Sequence, residues 1–387
     1  MAAALSAAEN PHNEVHIFER QARLGKKLSA TGNGRCNLSN ITPAPYGGEN
    51  PAFAQAALEK YTPRETLSWF ASLGLYTVIE DSGKVYPYSD QANSVLDVLR
   101  LSLEKPNITV HTGCEIEKVR RIEQGFCLQT AEEAFLCDRL IIACGGIAGT
   151  KLGGTMSGYR LLGSFGHKTT RLRPSLVQLT SDWKALPALK GVRANAKVQI
   201  FRDNTLFAES AGELQFTEKG LSGPVIFEIS RDVCEGRGKW EARLDFLPEL
   251  SQGDLVEMLT HRKQSSFTTE DLFTGILHNR LGRMLTKEAG IGTCPIKVLS
   301  EEEIGAVSRI CKGLRVTLTG TMGMDNAQVT AGGVLTGDFD PKTMESRLVP
   351  GLFACGEVLD IDGKCGGYNL QWAWSSGRMA GEKAGKV

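Results

Sequence analysis

The stretch GKKLSATGNGRCNLSN, residues 25–40, decides the fold that this sequence predicts. It follows Val15–Phe18, a short β-branched and aromatic segment that is predicted to be a strand closed by Glu19. Glycine and asparagine tolerate positive φ, so the stretch can bring its backbone close to a flat ligand. A Gly-rich surface loop is the alternative. The position directly after a strand and an acid favours a ligand-binding turn in a doubly wound α/β sheet.

Glu19 is the second feature of this pattern. In doubly wound sheets an acid at the end of the second strand binds the ribose hydroxyls of a dinucleotide. A charged residue after a strand is also often only a solvated turn, so Glu19 alone decides nothing. Its place just before the Gly/Asn-rich stretch favours the nucleotide-binding interpretation.

Two later segments are predicted to reach the same edge of the sheet. Leu140–Cys144 has the apolar pattern of a buried strand and runs into Gly145-Gly146. Gly351–Cys355 is a second such segment and runs into Gly356-Glu357. Ligands bind outside the carboxyl ends of the strands in this class of fold, so both glycine turns are candidate contacts.

A third glycine-containing turn, GKCGGYNLQWA at residues 363–373, precedes a helix predicted from about Asn369. Gly366 and Gly367 would leave the first N–H groups of that helix free and its positive dipole end open. In a flavoenzyme this end suits the N1/C2=O edge of the isoalloxazine ring, where negative charge collects on reduction.

The composition indicates a soluble enzyme with no special affinity for nucleic acid or membranes. Lys+Arg and Asp+Glu both total 44 in 387 residues. No apolar run approaches the roughly 18 residues of a membrane helix, and no signal peptide is recognisable, so we expect a cytoplasmic location. The ten cysteines contain no C-x-x-C and no zinc-like spacing. We therefore expect free thiols and no metal site.

Several motifs resemble those of one bacterial flavoprotein family, whose members are called NAD(P)/FAD-dependent oxidoreductases, aminoacetone-oxidase-like proteins or bile-acid 4,6-dehydro reductases. TGNGRCN at 31–37 resembles the family's T-G-x-G-R-C-N signature. FTEKGLSGP at 216–224 and AQVTAGGV at 327–334 are similar to two further signatures, and 356–371 matches the last flavin-contacting stretch. The resemblance covers essentially the whole chain.

The resemblance implies an α/β fold in three parts. A Rossmann-like FAD-binding domain would comprise residues 1–168 and 325–387, a β-barrel-like insert 169–248 and 313–324, and a helical domain 249–312. The implied activity is hydride transfer between flavin N5 and a small organic substrate, with NAD(P)H as the candidate reductant. Tyr368 and Glu357 are candidate catalytic proton donors, although Tyr368 could equally be a packing residue. The implied FAD contacts are Glu19, Lys27, Arg35, Cys36, Asn37, Gly145, Gly146, Gly356, Glu357, Gly366, Gly367, Asn369 and Leu370.

The sequence departs from the family pattern at its start. Members of the family begin with a strand and a G-G-G-x-A-G loop, which this sequence lacks. We therefore expect an N-terminally truncated form, without the first strand of the sheet, that holds FAD weakly. Two alternatives to the oxidoreductase stay open, namely a tRNA-modifying flavoprotein and a truncated form with little FAD and no activity. The balanced charge is unfavourable to the first of these.

Overall fold

The computed structural model of the protein describes residues 1–386. None of its helices is long and apolar enough to cross a bilayer, within those residues. The α-helices are α1 (Ala2–Ala7), α2 (Lys26–Ser29), α3 (Gln55–Lys60), α4 (Pro63–Ser72), α5 (Ala92–Ser102), α6 (Ser157–Gly163), α7 (Leu186–Leu189), α8 (Pro224–Ile229), α9 (Gln252–His261), α10 (Asn279–Glu288), α11 (Glu301–Gly313) and α12 (Tyr368–Ala384).

The strands include several very short ones. They are β1 (Val15–Glu19), β2 (Ser39–Asn40), β3 (Tyr46–Gly47), β4 (Thr77–Ile79), β5 (Lys84–Pro87), β6 (Ile108–Thr112), β7 (Lys118–Arg121), β8 (Phe126–Gln129), β9 (Ala134–Cys137), β10 (Leu140–Ile142), β11 (Arg173–Ser175), β12 (Leu179–Thr180), β13 (Arg193–Arg202), β14 (Thr205–Thr217), β15 (Gly220–Ser222), β16 (Trp240–Asp245), β17 (Leu314–Leu318), β18 (Gly320–Thr321), β19 (Val329–Ala331), β20 (Leu352–Ala354) and β21 (Asp362–Gly363).

The chain forms two compact units. Unit 1 contains residues 1–174 and the segment from residue 324 onward, and unit 2 contains residues 175–323. Unit 1 therefore joins the two ends of the chain.

Unit 1 contains two parallel strand pairs, as expected for a Rossmann-like domain. β1 pairs with β6, with Val15 opposite Ile108, and β10 pairs with β20, with Leu140 opposite Leu352. From the sequence, Val110 and the segments 114–120, 126–130 and 134–137 are predicted to form short antiparallel strands. The prediction is wrong for Val110, which lies in β6 and pairs in parallel with β1. The helix α5 precedes β6, and a chain that returns to a sheet through a helix enters it parallel to the earlier strand. The next strands, β7 to β9, do form an antiparallel meander.

Helix α12 is the longest helix of unit 1 and packs directly against α1 at the other end of the chain. The contact depends on glycine. A Cβ on Gly381 would overlap the carbonyl oxygen of Ala3, and a Cβ on Gly377 would touch the Cβ of Ala2 at 3.5 Å. The backbones of the two helices can therefore approach each other only where α12 has no side chain.

Unit 2 contains an antiparallel sheet of strand order β17-β16-β13-β14-β15-β12-β18. Its two edge strands, β17 and β18, are consecutive in sequence and separated only by Thr319. Strands at opposite ends of the order can be joined by one residue only if the sheet curls back on itself, so the sheet is barrel-like.

The helices of unit 2 share one apolar core with this sheet. Leu244 of β16, Leu259 of α9 and Leu285 of α10 are fully buried in the same cluster. Both α9 and α11 begin with a capping box, formed by Ser251 with Asp254 and by Ser300 with Glu303. The segments 169–248 and 249–312 were predicted as separate domains, and that division stays a prediction.

The glycine contact between α1 and α12 gives a test of the fold. We expect Gly381→Ala to lower the free energy of unfolding by about 1–3 kcal/mol, because the added methyl group must displace the backbone of Ala3. Gly163→Ala is the matched control, since Gly163, like Gly381, lies in the last turn of its helix and no atom lies within 4 Å of its Cβ position. The control should be neutral or slightly stabilising. Thermal and urea melts of both variants measure the difference, and equal effects would contradict the contact.

Candidate functional site

Strands β10 and β20 end side by side and are followed by glycine turns with positive φ. Ile142 lies opposite Ala354, and the turns contain Gly145 at φ 71° and Gly356 at φ 75°. Cys144 is exposed to solvent, yet desolvation raises the pKa of its thiol to about 11. Solvent exposure and a desolvated thiol occur together when a side chain can be reached by solvent but is closely surrounded by protein. The two turns lie side by side at the ends of paired strands, and we call the location that they border the strand-end recess (Cys144–Gly146 and Gly356–Glu357).

An ion pair lies at the strand-end recess. The Nζ of Lys27 is 2.7 Å from Oε2 of Glu357, and the backbone N–H of Thr330 donates to Oε1 of Glu357 at 2.7 Å. A Cβ on Gly146 would stand 2.7 Å from Oε1 of Glu357. Glycine is thus required beside the carboxylate. The structure brings together five of the predicted site residues here, namely Lys27, Gly145, Gly146, Gly356 and Glu357.

The Gly/Asn-rich stretch folds into a tight excursion with repeated left-handed residues. Gly32, Asn33, Gly34 and Cys36 have φ values of 57°, 56°, 87° and 60°. Cys36 points into the core, and burial raises the pKa of its thiol to about 11. No atom lies within 4 Å of the Cβ position of Gly34, so one side of this excursion is open.

Arg35 lies at the surface of the same excursion and is held by neighbouring acids. Its Nε donates to Asp90 at 2.5 Å and its Nη2 to Glu80 at 3.1 Å, and its guanidinium lies 4.0 Å above the ring of Tyr86. The hydrogen bond to Asp90 is the largest contribution to the raised pKa of Arg35. Its charge is already compensated within the protein.

The turn before α12, which we call the glycine turn (Gly366–Gly367), packs against the segment after the excursion. Asn40 Nδ2 donates to the carbonyl oxygen of Gly366 at 2.9 Å. Gly367 has φ 98°, and a Cβ on it would overlap the carbonyl oxygen of Ser39 and lie 2.8 Å from the side-chain amide of Asn37. The structure therefore brings the predicted residues Asn37, Gly366 and Gly367 together.

The side chains in the first turns of α12 contact four different parts of unit 1. The side chain of Asn369 braces the chain by accepting from the N–H of Gly363 and donating to its carbonyl oxygen, each at 2.8 Å. The hydroxyl of Tyr368 donates to the carbonyl oxygen of Thr42 at 2.9 Å. Leu370 packs against the apolar cluster of α5. Trp372 Nε1 donates to the carbonyl oxygen of Gly356 at 3.1 Å, so α12 connects the glycine turn with the strand-end recess.

Glu19 ends β1 and lies within electrostatic reach of Cys144, because its negative charge contributes, after desolvation, to the raised pKa of that thiol. Its Oε1 accepts from the N–H of Gln21 at 2.8 Å, while Arg20 donates to the carbonyl oxygen of Gly153. The prediction for Glu19 rested on the ribose of a dinucleotide, and the position at the carboxyl end of a parallel strand agrees with the geometry that such a role needs.

Thr330 is a site residue that reasoning from the sequence missed. Besides binding Glu357 through its N–H, it accepts from the N–H of Ala148 through Oγ1 at 3.0 Å. Its only signal was its place in the AQVTAGGV motif. Asn40 was missed in the same way, as part of the Gly/Asn-rich stretch without an assigned contact.

The surroundings of Cys144 lead to a prediction about the reactivity of its thiol. We expect iodoacetamide to alkylate Cys144 about tenfold more slowly at pH 7.5 than an unstructured cysteine peptide. The smaller thiolate fraction of a thiol with pKa about 11 outweighs its higher intrinsic nucleophilicity. The rate should rise with pH up to that pKa, because only the thiolate reacts. The buried Cys36 should stay unmodified in the folded protein.

Peptide mass spectrometry after timed alkylation measures the two rates separately. A rate at Cys144 equal to that of the free peptide at pH 7.5 would mean that its thiol does not lie in a desolvated recess. Modification of Cys36 at the same rate would show that the protein had unfolded.

Comparison with known sequences places the chain among flavoenzymes. The family described as HI0933-like protein Rossmann domain matches residues 1–383. The chain is 41% identical over 391 residues to the 3-dehydro-bile acid delta(4,6)-reductase of Clostridium scindens, an alignment that covers 99% of this chain and 95% of that protein. It is 30% identical over 369 residues to the ribosomal RNA dihydrouridine synthase of Escherichia coli, which covers 94% of this chain and 90% of that protein.

Solved structures with similar architecture include a 3-ketosteroid-delta4-(5alpha)-dehydrogenase from Rhodococcus jostii RHA1. It has a TM-score of 0.48 and 13% identity, and covers 100% of this chain and 94% of that chain. The quinol fumarate reductase of E. coli has a TM-score of 0.47 and 16% identity, and covers 99% of this chain and 67% of that one. From the family match and the sequence relatives, the chain belongs to the HI0933-like Rossmann-domain family and is an FAD-dependent oxidoreductase.

Proposed function

We propose that the protein reduces a carbon–carbon double bond conjugated to a carbonyl group in a flat, apolar substrate such as a 3-oxo steroid. The observation that carries the proposal is the convergence of the strand-end recess and the glycine turn along α12. The C. scindens relative, a 3-dehydro-bile acid delta(4,6)-reductase, supports the class of substrate.

The residues present fit an FAD molecule. The Cβ positions of Gly34 and Gly145 are open, with no atom within 4 Å of the first and only Oε2 of Glu357, at 3.9 Å, near the second. The helix start at Gly367 carries no side-chain cap. These are the open backbone surfaces that a flat, negatively charged cofactor requires. Bound FAD would supply the hydride chemistry at its ring.

The contacts proposed for FAD fall into two groups. Lys27, Gly145, Gly146, Gly356 and Glu357 would bind the part of the cofactor at the strand-end recess. Arg35, Cys36, Asn37, Gly366, Gly367, Asn369 and Leu370 would surround the ring through their backbone or their packing, and Glu19 would bind the ribose.

The protein's own contributions to catalysis are orientation, exclusion of water and a proton. The backbone N–H groups at the start of α12 would stabilise negative charge that gathers near them. Tyr368 and Glu357 are the proposed proton donors. The hydroxyl proton of Tyr368 is held by the carbonyl oxygen of Thr42, so Tyr368 would deliver it only after leaving that partner. The carboxylate of Glu357 is paired with Lys27, so Glu357 would have to leave that partner and take up a proton from solvent before it could donate one.

NAD(P)H is the proposed reductant, acting as a diffusible co-substrate. The sequence contains no G-x-G-x-x-G that would indicate a dedicated domain for it. We propose that it reacts at the same site as the substrate, in a separate half-reaction.

The second candidate function is modification of RNA, which the E. coli relative's name suggests. RNA binding needs Lys and Arg side chains that are free to neutralise phosphates. Four cations on or beside the sheet of unit 2 are instead held by carboxylates within 4 Å. These pairs are Lys190–Glu218, Arg193–Glu213, Lys197–Glu209 and Arg243–Glu241. They support the small-molecule proposal.

Four measurements test the proposal. Purified protein supplied with FAD should show the flavin absorption bands. Anaerobic NADH or NADPH should bleach them, and a 3-oxo-4,6-diene steroid should restore them. FAD should also protect Cys144 from alkylation. Restoration by a uridine-containing RNA fragment and not by any steroid, with salt-dependent retention on RNA, would overturn the proposal in favour of the second candidate.

The glycine turn gives a sharper prediction. Gly367→Ala should weaken FAD binding by at least tenfold and lower the reduction potential of any bound flavin. The methyl group overlaps the carbonyl oxygen of Ser39 and displaces the N–H groups of α12. Gly74→Ala is the matched control, because Gly74 has nearly the same φ, 96° against 98°, but no atom within 4 Å of its Cβ position.

The control separates the loss of stability that any side chain causes at positive φ from the loss of FAD binding at the glycine turn. Both variants should lose about 1 kcal/mol of stability from backbone strain. Only Gly367→Ala should lose FAD, as measured by titration of the apoprotein. Equal FAD affinity in the two variants would show that the glycine turn does not contact the cofactor.

A further inference from the structure

Lys84 is a cation that the site described above does not use. It begins β5, where it lies opposite Asn40 of β2. Directly opposite residues of antiparallel strands present their side chains on the same face of the sheet. Lys84 therefore lies on the same face as Asn40, which binds the glycine turn.

The side chain of Lys84 reaches that turn. Its Cε lies 3.6 Å from the point where a Cβ would stand on Gly366, and Nδ2 of Asn40 lies 3.4 Å from the same point. Lys84 is half-buried. Within residues 1–386 its ammonium group makes no ion pair and no hydrogen bond with the protein.

Two other cations of the site have carboxylate partners. Lys27 is paired with Glu357, and Arg35 with Glu80 and Asp90. Removing an ammonium group from water without an anionic partner costs free energy. Lys84 is only half-buried, but it brings to this turn a positive charge that pairs with no carboxylate of residues 1–386.

The start of α12 adds a second positive feature at the same turn. This helix runs from Tyr368 to Ala384, and its N-cap, Gly367, has no side-chain hydrogen bond. A helix of this length carries about half a positive charge at its N-terminus. The helix dipole and the Lys84 ammonium thus act from two different elements on one location.

We propose that Lys84 is a positioning residue that supplies the second positive charge at the edge of the FAD ring, and that it favours the reduced over the oxidised cofactor. The inference rests on the proposed function, because it needs FAD at the glycine turn. Negative charge collects on the N1/C2=O edge of the ring on reduction, so a nearby cation stabilises the reduced state more than the oxidised state.

The test measures the reduction potential of the bound flavin by equilibration with a reference dye, together with FAD affinity by titration of the apoprotein. Lys84→Gln should bind reduced FAD about tenfold more weakly relative to oxidised FAD, which corresponds to a potential lower by about 30 mV for a two-electron couple. Lys84→Arg keeps the charge and should stay close to the wild-type protein.

Lys118→Gln is the matched control, because Lys118 is an exposed lysine on β7, which also belongs to a three-stranded antiparallel sheet. It should leave the potential unchanged. Thermal melts establish that each variant is folded, and Lys84→Met, which keeps the aliphatic stem, replaces Lys84→Gln if the latter unfolds.

The outcomes separate the two proposals. A neutral variant at position 84 that binds FAD fully and has the wild-type potential would overturn the role of Lys84 and leave the proposed function intact. Wild-type protein that takes up no FAD would overturn both. A lowered potential that Lys84→Arg restores would support the charge, rather than the packing of the side chain, as the cause.

Discussion

Unit 1 depends on one packing constraint, the burial of α12 among segments from the first third of the chain. Its Gln371 is almost fully buried, accepts from Oγ of Ser39 at 2.6 Å, and donates to Oγ1 of Thr66 at 2.8 Å and to the carbonyl oxygen of Tyr61 at 3.0 Å. A buried polar group left without its partners costs about 1–3 kcal/mol. The helix therefore fixes the segment after the Gly/Asn-rich excursion as well as itself.

The same constraint determines where the site can form. Ser39 is tied to α12 through Gln371, and Asn40, the next residue, binds the glycine turn. At the other side of the helix, Ser376 Oγ accepts from the N–H of Gly356 at 3.0 Å. One helix thus holds both borders of the site, so the distance between them is set by a rigid element and not by loops.

The sequence predicted the parts of the site that depend on glycine. A Cβ on Gly146 would meet Glu357, and a Cβ on Gly367 would meet Ser39. Only glycine fits at these two positions, and the sequence shows where the glycines are. It could not predict that the N–H of Thr330 reaches Glu357, because 27 residues separate them and the contact follows from tertiary packing. The direction of strand β6 could not be predicted either, because it also follows from tertiary packing. Alternation of apolar residues at 108–112 predicts a strand, but only the preceding helix makes it parallel to β1.

Helix starts in this protein are of two kinds, with and without a side-chain cap, and α12 at the site belongs to the second kind together with α5 and α8. Thr62, Ser251 and Ser300 each accept a backbone N–H and so cap α4, α9 and α11. Such caps satisfy donors that would otherwise be left free. Helix α12 begins instead at Gly367, which has no side chain to offer.

The absence of a cap has a steric cause and an electrostatic consequence. The carbonyl oxygen of Ser39 passes too close to Gly367 for any Cβ, so no capping side chain fits there. Close packing of the chain therefore leaves the positive end of the longest helix of unit 1 open, with the unpaired Lys84 beside it. A start like this lowers the stability of an isolated helix, and it leaves backbone N–H groups that an anionic group bound at the turn can satisfy.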